Sequence, residues 1–280
     1  MKADLNERIT RIGPGTPCGN LMRQYWQPVA LLDEFDPVLD PRMATRPVKP
    51  VRLLGQDMVL FRDESGRFAL LDRDCPHRGA DLSFGRYEGD GVRCPFHGWK
   101  FDATGQCIET PGEPTGSKLC THVKQRHYPL VLHSGILFGW FGPEGSEPPP
   151  FPSLDCFVAP NTHTFAFKGL WRCNWLQAFE VGIDPAHTSY LHRFLFDEDL
   201  GAIGSNAAGK QFRSASAGEV EGERWPMTRI MREFDRPQIQ VEATDHGMQL
   251  TTLRPMTGDL THVRITHSIF PHTFVIPLSE

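Results

Sequence analysis

Two short stretches, Cys75-Pro76-His77-Arg78-Gly79 and Cys94-Pro95-Phe96-His97-Gly98-Trp99, decide how this 280-residue chain is read. Each offers one thiolate and one imidazole, spaced C-x-H and C-x2-H, with sixteen residues between His77 and Cys94. A [2Fe–2S] cluster of mixed ligation needs that set, two Cys on one iron and two His on the other. Two loops that each give one ligand to each iron can clasp it. Gly79 and Gly98, with Pro76 and Pro95, suit tight turns that bring backbone N–H groups near the sulfides. The competing reading is a structural Cys2His2 zinc site. Zinc sites usually pair Cys with Cys and His with His along the chain, whereas the types are mixed within each half here.

Outward from these loops, residues 47–141 read as a small all-β module. Segments 51–54 and 58–61 flank a Gly55-Gln56-Asp57 turn, as a hairpin should. A second turn, Asp63-Glu64-Ser65-Gly66, leads to 68–71 and directly into the first loop. The second loop runs into 99–102, a turn at Ala103-Thr104-Gly105, and Cys107-Ile108; segments 128–132 and 135–141 would close the module. Such alternation is the pattern of a small sandwich, with the loops at its tip. Residues 1–46 precede it as a helical segment. A turn at Gly13-Pro14-Gly15-Thr16-Pro17 leads to a short helix over 20–26 stopped by Pro28, with Met22, Tyr25 and Trp26 as core. Residues 142–155 are rich in proline and read as a semi-rigid linker.

From 156 to 280 the pattern changes to that of an α+β domain with an antiparallel sheet. Residues 164–169 predict a strand, 173–181 a helix, and 238–243, 248–253 and 263–270 further strands. The second chemical centre is Asp184-Pro185-Ala186-His187-Thr188-Ser189-Tyr190-Leu191-His192. Asp184 is a good N-cap with Pro185 at the first helical position. His187 and His192 are five apart, which suits one face of a straight helix poorly, so the segment is expected to be distorted or to end between them. His262, His267 and His272 repeat that spacing, but steps of five along a strand alternate faces, and they read as ordinary strand residues. Arg213 and Arg254 lie beyond this centre among apolar neighbours. Either could grip a carboxylate with its planar fork, and a solvated surface arginine is the plainer reading of both.

Composition narrows the class. Net charge is −5, from 29 basic and 34 acidic residues, which suggests neither a nucleic-acid footprint nor a basic membrane patch. No run of 18 apolar residues occurs, and the amino end has no apolar signal-peptide core. Five of seven cysteines, Cys18, Cys107, Cys120, Cys156 and Cys173, fall outside the loops in scattered positions. That argues against a disulfide framework and for a reducing cytoplasm.

Taken together, the chain resembles the large (alpha) subunit of a Rieske non-haem iron aromatic ring-hydroxylating oxygenase of the phthalate 4,5-dioxygenase type. The two loops carry the resemblance, with the opening GPGTP at 13–17, Met22-Arg23-x-Tyr25-Trp26, Asn174-Trp175 and the D-x2-H-x4-H of Asp184, His187 and His192. It implies a Rieske domain followed by a catalytic domain. The cluster would sit on Cys75, His77, Cys94 and His97, and mononuclear Fe(II) on His187 and His192. The resemblance gives Asp184 a catalytic part, accepting the hydrogen bond of His187 and connecting it to a cluster histidine of a neighbouring subunit. The third, carboxylate ligand is expected beyond Glu280, which lies 88 residues past His192 (280 minus 192), so the C-terminal part of the catalytic domain is expected to be missing. Asp197 and Asp199 sit in the wrong place for it. Respiratory Rieske proteins carry two more cysteines where Ala80 and Phe96 stand, and Trp99 replaces their serine, so the potential should lie near the low end, about −150 mV.

The resemblance further implies a terminal oxygenase using O2 and electrons from NAD(P)H, delivered by a separate flavin/iron–sulfur reductase. It implies a homotrimer or stacked trimers, and an aromatic, carboxylated, phthalate-like substrate undergoing cis-dihydroxylation. Monooxygenation with O-demethylation is the alternative. A pure Rieske electron carrier would need only about 47–141, and a zinc-organised binding module needs no second centre.

Overall fold

Short strands broken by turns must find several neighbours before one face is buried. The chain meets that need in two compact units, Met1–Leu170 and Trp171–Glu280. The computed structural model describes residues 1–161, 163–191, 216–220 and 223–277.

In the first unit the strands are β1 (Gln27–Leu31), β2 (Val48–Leu53), β3 (Gln56–Arg62), β4 (Phe68–Asp72), β5 (Arg86–Tyr87), β6 (Gly91–Arg93), β7 (Lys100–Asp102), β8 (Cys107–Glu109), β9 (His127–Tyr128), β10 (Leu130–His133) and β11 (Ile136–Gly139). They form three antiparallel sheets, ordered β2-β3-β4-β9, β5-β6-β7-β8 and β1-β11-β10. The β2–β3 hairpin turns on two residues, Leu54 (φ 50°) and Gly55 (φ 70°). Positive φ at both central residues is the twist-matched hairpin geometry. Val59, Phe61 and Leu71 of one sheet pack with Val92, Phe101 and Cys107 of another, and Cys75 and Cys94 belong to this same core.

The flanking segments join this unit. Residues 1–46 hold helices over Ala3–Thr10 and Pro17–Met22, the second capped by Thr16, whose Oγ1 accepts from Gly19 N at 3.1 Å. That helix therefore lies earlier than the expected 20–26, because Pro17 starts it, and the segment is not purely helical. Its β1 pairs with β11, and Pro28 is tolerated because β1 is an edge strand. The 142–155 linker also lies on the first unit: Trp26 Nε1 donates to Pro149 O at 2.9 Å, and Phe151 packs edge-on to Trp26. Residues 164–169 form no strand, and Lys168 instead reaches Glu34.

The second unit opens with a helix over Trp175–Gly182, capped by Asn174, whose Oδ1 accepts from Leu176 N at 3.0 Å. A single 3-10 turn follows at His187–Ser189. After β12 (Ser216–Val220), β13 (Glu223–Pro226) and a helix over Met227–Glu233 comes an antiparallel sheet. It is ordered β14 (Gln238–Thr244), β15 (Gly247–Pro255), β16 (Thr261–Ile269), β17 (Thr273–Val275). Leu250, Thr252 and Arg254 alternate along β15 on its buried face. Phe179 of the first helix packs on Phe274 of β17, ring centroids 5.0 Å apart. Two units, one of β-sheets and one of helices with an antiparallel sheet, give the α+β architecture anticipated.

Candidate metal centres

The two cysteine–histidine loops are built alike. In the first, Cys75 N donates to Ala80 O (2.9 Å) and Gly79 N to Cys75 O (2.8 Å). In the second, Cys94 N donates to Trp99 O (2.8 Å) and Gly98 N to Cys94 O (3.2 Å). Both loops are thus six-residue turns closed by the same two bonds, with glycine at the fifth place in the left-handed region, φ 68° at Gly79 and 76° at Gly98. A side chain at either would be strained there. The histidine sits third in one turn and fourth in the other, which accounts for the unequal C-x-H and C-x2-H spacings.

The turns bring the four ligands of the sequence reading together. Cys75 and Cys94 are buried at 2% and 3% exposure, while His97 is exposed and His77 half-buried. The His77 and His97 rings lie 4.6 Å apart, and Trp99 stacks on His77 at 4.5 Å with 5° between planes. Burial pushes the Cys75 thiol up to about 11, and the backbone N–H groups of His77 and Arg78 pull the other way by donating to its sulfur. A thiolate there needs a cation beside it, which iron supplies. Among the described residues no three His, Cys, Asp or Glu side chains converge on one ion. A binuclear cluster takes two protein ligands per iron, which these loops can supply as two cysteines for one iron and two histidines for the other. The donor set fits a [2Fe–2S] cluster.

Upstream, Gln125 Nε2 donates to both Asp72 O and Asp74 O at 2.8 Å, pinning the strand that enters the first loop. An open pocket of about 430 Å³, lined by Lys124, Arg126, Tyr128, Trp140 and Glu144 among others, shares no residue with either loop and holds none of the predicted ligands.

At the second centre, Asp184 Oδ1 accepts from Ala186 N (2.8 Å) and His187 N (3.3 Å), the N-cap expected of it. The turn then ends after Ser189, so no helix carries both histidines. His187 Nδ1 contacts the backbone carbonyl of Asp184, while Asp184 Oδ2 lies 4.0 Å from that nitrogen. A carbonyl only accepts, so this contact calls for the tautomer protonated at Nδ1. The Pro185 carbonyl accepts twice, from Thr188 Oγ1 at 2.8 Å and from Arg254 Nη2 at 3.1 Å. Tyr190 OH donates to Asp235 Oδ2 at 2.8 Å, tying the turn to the residues after the 227–233 helix. His192, Arg213, Asp197 and Asp199 lie outside the described residues.

Arg254 departs from the solvated reading: it is 1% exposed, because its register in β15 places it on the buried face. Its Nε and Nη1 have no hydrogen-bond partner among the described residues. Burial lowers its pKa to about 10, helped by the charge of Arg264, so it remains a cation at neutral pH. His262 and His267 fall on opposite faces of β16, as the odd spacing requires. No disulfide links Cys18, Cys75, Cys94, Cys107, Cys120 or Cys173.

Comparison with known proteins agrees with this geometry. Residues 26–129 match the Rieske [2Fe-2S] domain. The chain is 36% identical over 273 residues to the tert-butanol monooxygenase / tert-amyl alcohol desaturase oxygenase subunit of Aquincola tertiaricarbonis, covering 96% of this chain and 52% of that protein. It is 34% identical over 277 residues to the phthalate 4,5-dioxygenase oxygenase subunit of Pseudomonas putida, covering 97% and 57%. A carbazole-bound oxygenase in complex with ferredoxin, of carbazole 1,9a-dioxygenase, shares the fold at a TM-score of 0.61 and 18% identity, over 98% of this chain and 68% of that one. Residues 26–129 are therefore a Rieske-type iron–sulfur domain. The chain that carries it is similar to oxygenase subunits, the phthalate 4,5-dioxygenase oxygenase subunit among them. It spans about half the length of the curated relatives it matches.

Proposed function

We propose that the chain belongs to the terminal oxygenase component of an aromatic ring-hydroxylating system, acting on a carboxylated, phthalate-like substrate with cis-dihydroxylation as the outcome. The observation that carries this reading is the pairing of a Rieske domain with His187 on a turn that Asp184 caps through its Oδ1. Electrons from NAD(P)H arrive through a separate flavin/iron–sulfur reductase and enter at Cys75, His77, Cys94 and His97. His187 and His192 hold Fe(II), with a carboxylate as third ligand, and that iron supplies the O2 chemistry when bound. Asp184 caps the turn that presents His187 and links it to a cluster histidine of the neighbouring copy, which requires a closed ring such as a homotrimer. Arg254, charged and desolvated, has two nitrogens, Nε and Nη1, without a partner among the described residues and can donate to a substrate carboxylate, and Arg213 is the second candidate. The free cysteines favour a reducing cytoplasm.

Monooxygenation, with O-demethylation of a methyl ether as its result, is the second reading, favoured by the monooxygenase relative. Product type depends on how the pocket aims the substrate rather than on fold.

The deciding measurement is iron, zinc and acid-labile sulfide per chain in anaerobically prepared, iron-supplied protein. About three irons with two sulfides are expected. Two irons with two sulfides would leave a carrier, and zinc without sulfide would end the cluster assignment.

A further inference from the structure

We propose that Arg93 is a positioning residue for the cluster: its guanidinium braces the second loop by holding the Gly98 carbonyl, and so fixes where His97 stands. The inference rests on the Rieske reading of the loops and concerns a residue outside their ligand pattern.

His97 is exposed, and its ring meets the rings of Phe96 and His77, so its place is set by its own backbone. That backbone is held from two sides. Gly98, the next residue, sits at φ 76°, where Cys94 O accepts its N–H at 3.2 Å. Its carbonyl accepts from Arg93 Nη1 at 2.6 Å. Arg93 cannot swing away, because its other edge is bidentate on Glu88, Nε to Oε1 and Nη2 to Oε2, both 2.7 Å. Nη2 also meets Glu109 Oε2 at 2.6 Å. Glu88 follows β5, Arg93 ends β6 and Glu109 ends β8, so one side chain ties the sheet to the loop.

The side chain is only 10% exposed, which makes these charge-assisted bonds stronger than surface pairs. Lys100, 8% exposed, joins the group through Asp90 at 2.6 Å and Glu109 at 3.5 Å. Three cations, Arg93, Lys100 and the exposed Arg86, face three carboxylates, Glu88, Asp90 and Glu109, so loss of Arg93 would leave a net surplus of one negative charge beside the loop (three minus two). Lysine cannot replace the fork, since one ammonium cannot grip Glu88 with two nitrogens and reach Gly98 as well.

The test uses the full chain, loaded anaerobically, with Arg93→Met, Arg93→Lys and the exposed-pair control Arg52→Met. The readouts are the EPR g-values of the reduced cluster, the rate of cluster loss to a ferrous chelator, and the melting temperature. Arg93→Met should lose its cluster about tenfold faster than the parent and shift the g-values, as when partners that orient metal ligands are removed. Arg93→Lys should restore part of the retention but not the parent spectrum, and Arg52→Met should match the parent. A lower melting temperature in Arg93→Met with parent g-values and a loss rate within twofold would overturn the proposal, leaving Arg93 a sheet residue. If Arg93→Met does not fold, a parent spectrum in Arg93→Lys overturns it and a shifted one supports it. A parent protein with no Rieske spectrum would instead overturn the cluster reading, a distinct failure.

Discussion

At Asp184 one side chain and one carbonyl divide the work. Oδ1 is spent on the Ala186 and His187 N–H groups, and the backbone oxygen faces His187 Nδ1. Asp184→Asn keeps a capping oxygen but removes the charge, so the turn and both metals should survive while coupled oxidation falls about 10–100-fold. Single-turnover transfer between the irons at the parent rate would remove the bridging role. Arg254 allows a sharper split. Truncating a buried charge that pairs with a ligand costs about 2–5 kcal/mol, so Arg254→Met should raise KM for an aromatic acid by a factor of tens or more. A neutral analogue should change little, and equal losses on both would leave Arg254 holding only the Pro185 carbonyl. The sequence named Arg254 but placed it in solvent, because Leu253-Arg254-Pro255 carries no mark of burial; only pairing register decides that face. Arg93 escaped notice for a similar reason, as its partners lie five and sixteen residues away.

Among elements, the hairpins and loops of the first unit were legible because their causes are local: turn glycines, alternation, and the Cys and His of the loops. Residues 164–169 have the composition of a strand and form none, since composition cannot name a partner to pair with. Lys168 from that segment and Lys49 of β2 converge on Glu34 instead. Burial alone would raise the Glu34 carboxyl, but Lys168, Lys49 and the Leu31 N–H outweigh it and bring it to about 2, from an ordinary 4.5. A carboxyl depressed in the folded state stabilises above its unfolded pKa and loses that contribution as pH falls through the folded one. The stability advantage of the parent over Glu34→Gln should therefore be constant above about pH 5 and shrink from there towards pH 2. Thermal melts of both proteins across that range check it, and a gap that widens in acid would contradict it.

For the whole molecule, residue types at fixed spacings propose two centres, and the Cys75 and Cys94 loops fall in one compact unit while Asp184 and His187 fall in the other. Which residues complete the second centre was not legible, because His187 and the acceptors around it are joined by contacts over tens of residues, Arg254 to Pro185 and Tyr190 to Asp235. No helix among the described residues is long and apolar enough to cross a membrane.

The cluster loops, finally, face two ways: both sulfur ligands are walled in by the sheet core, while the imidazole of His97 stands in the open. On the proposed Rieske reading, charge would reach the cluster by way of that uncovered ring rather than through the enclosed sulfurs, so a redox partner would have to match the surface around His97.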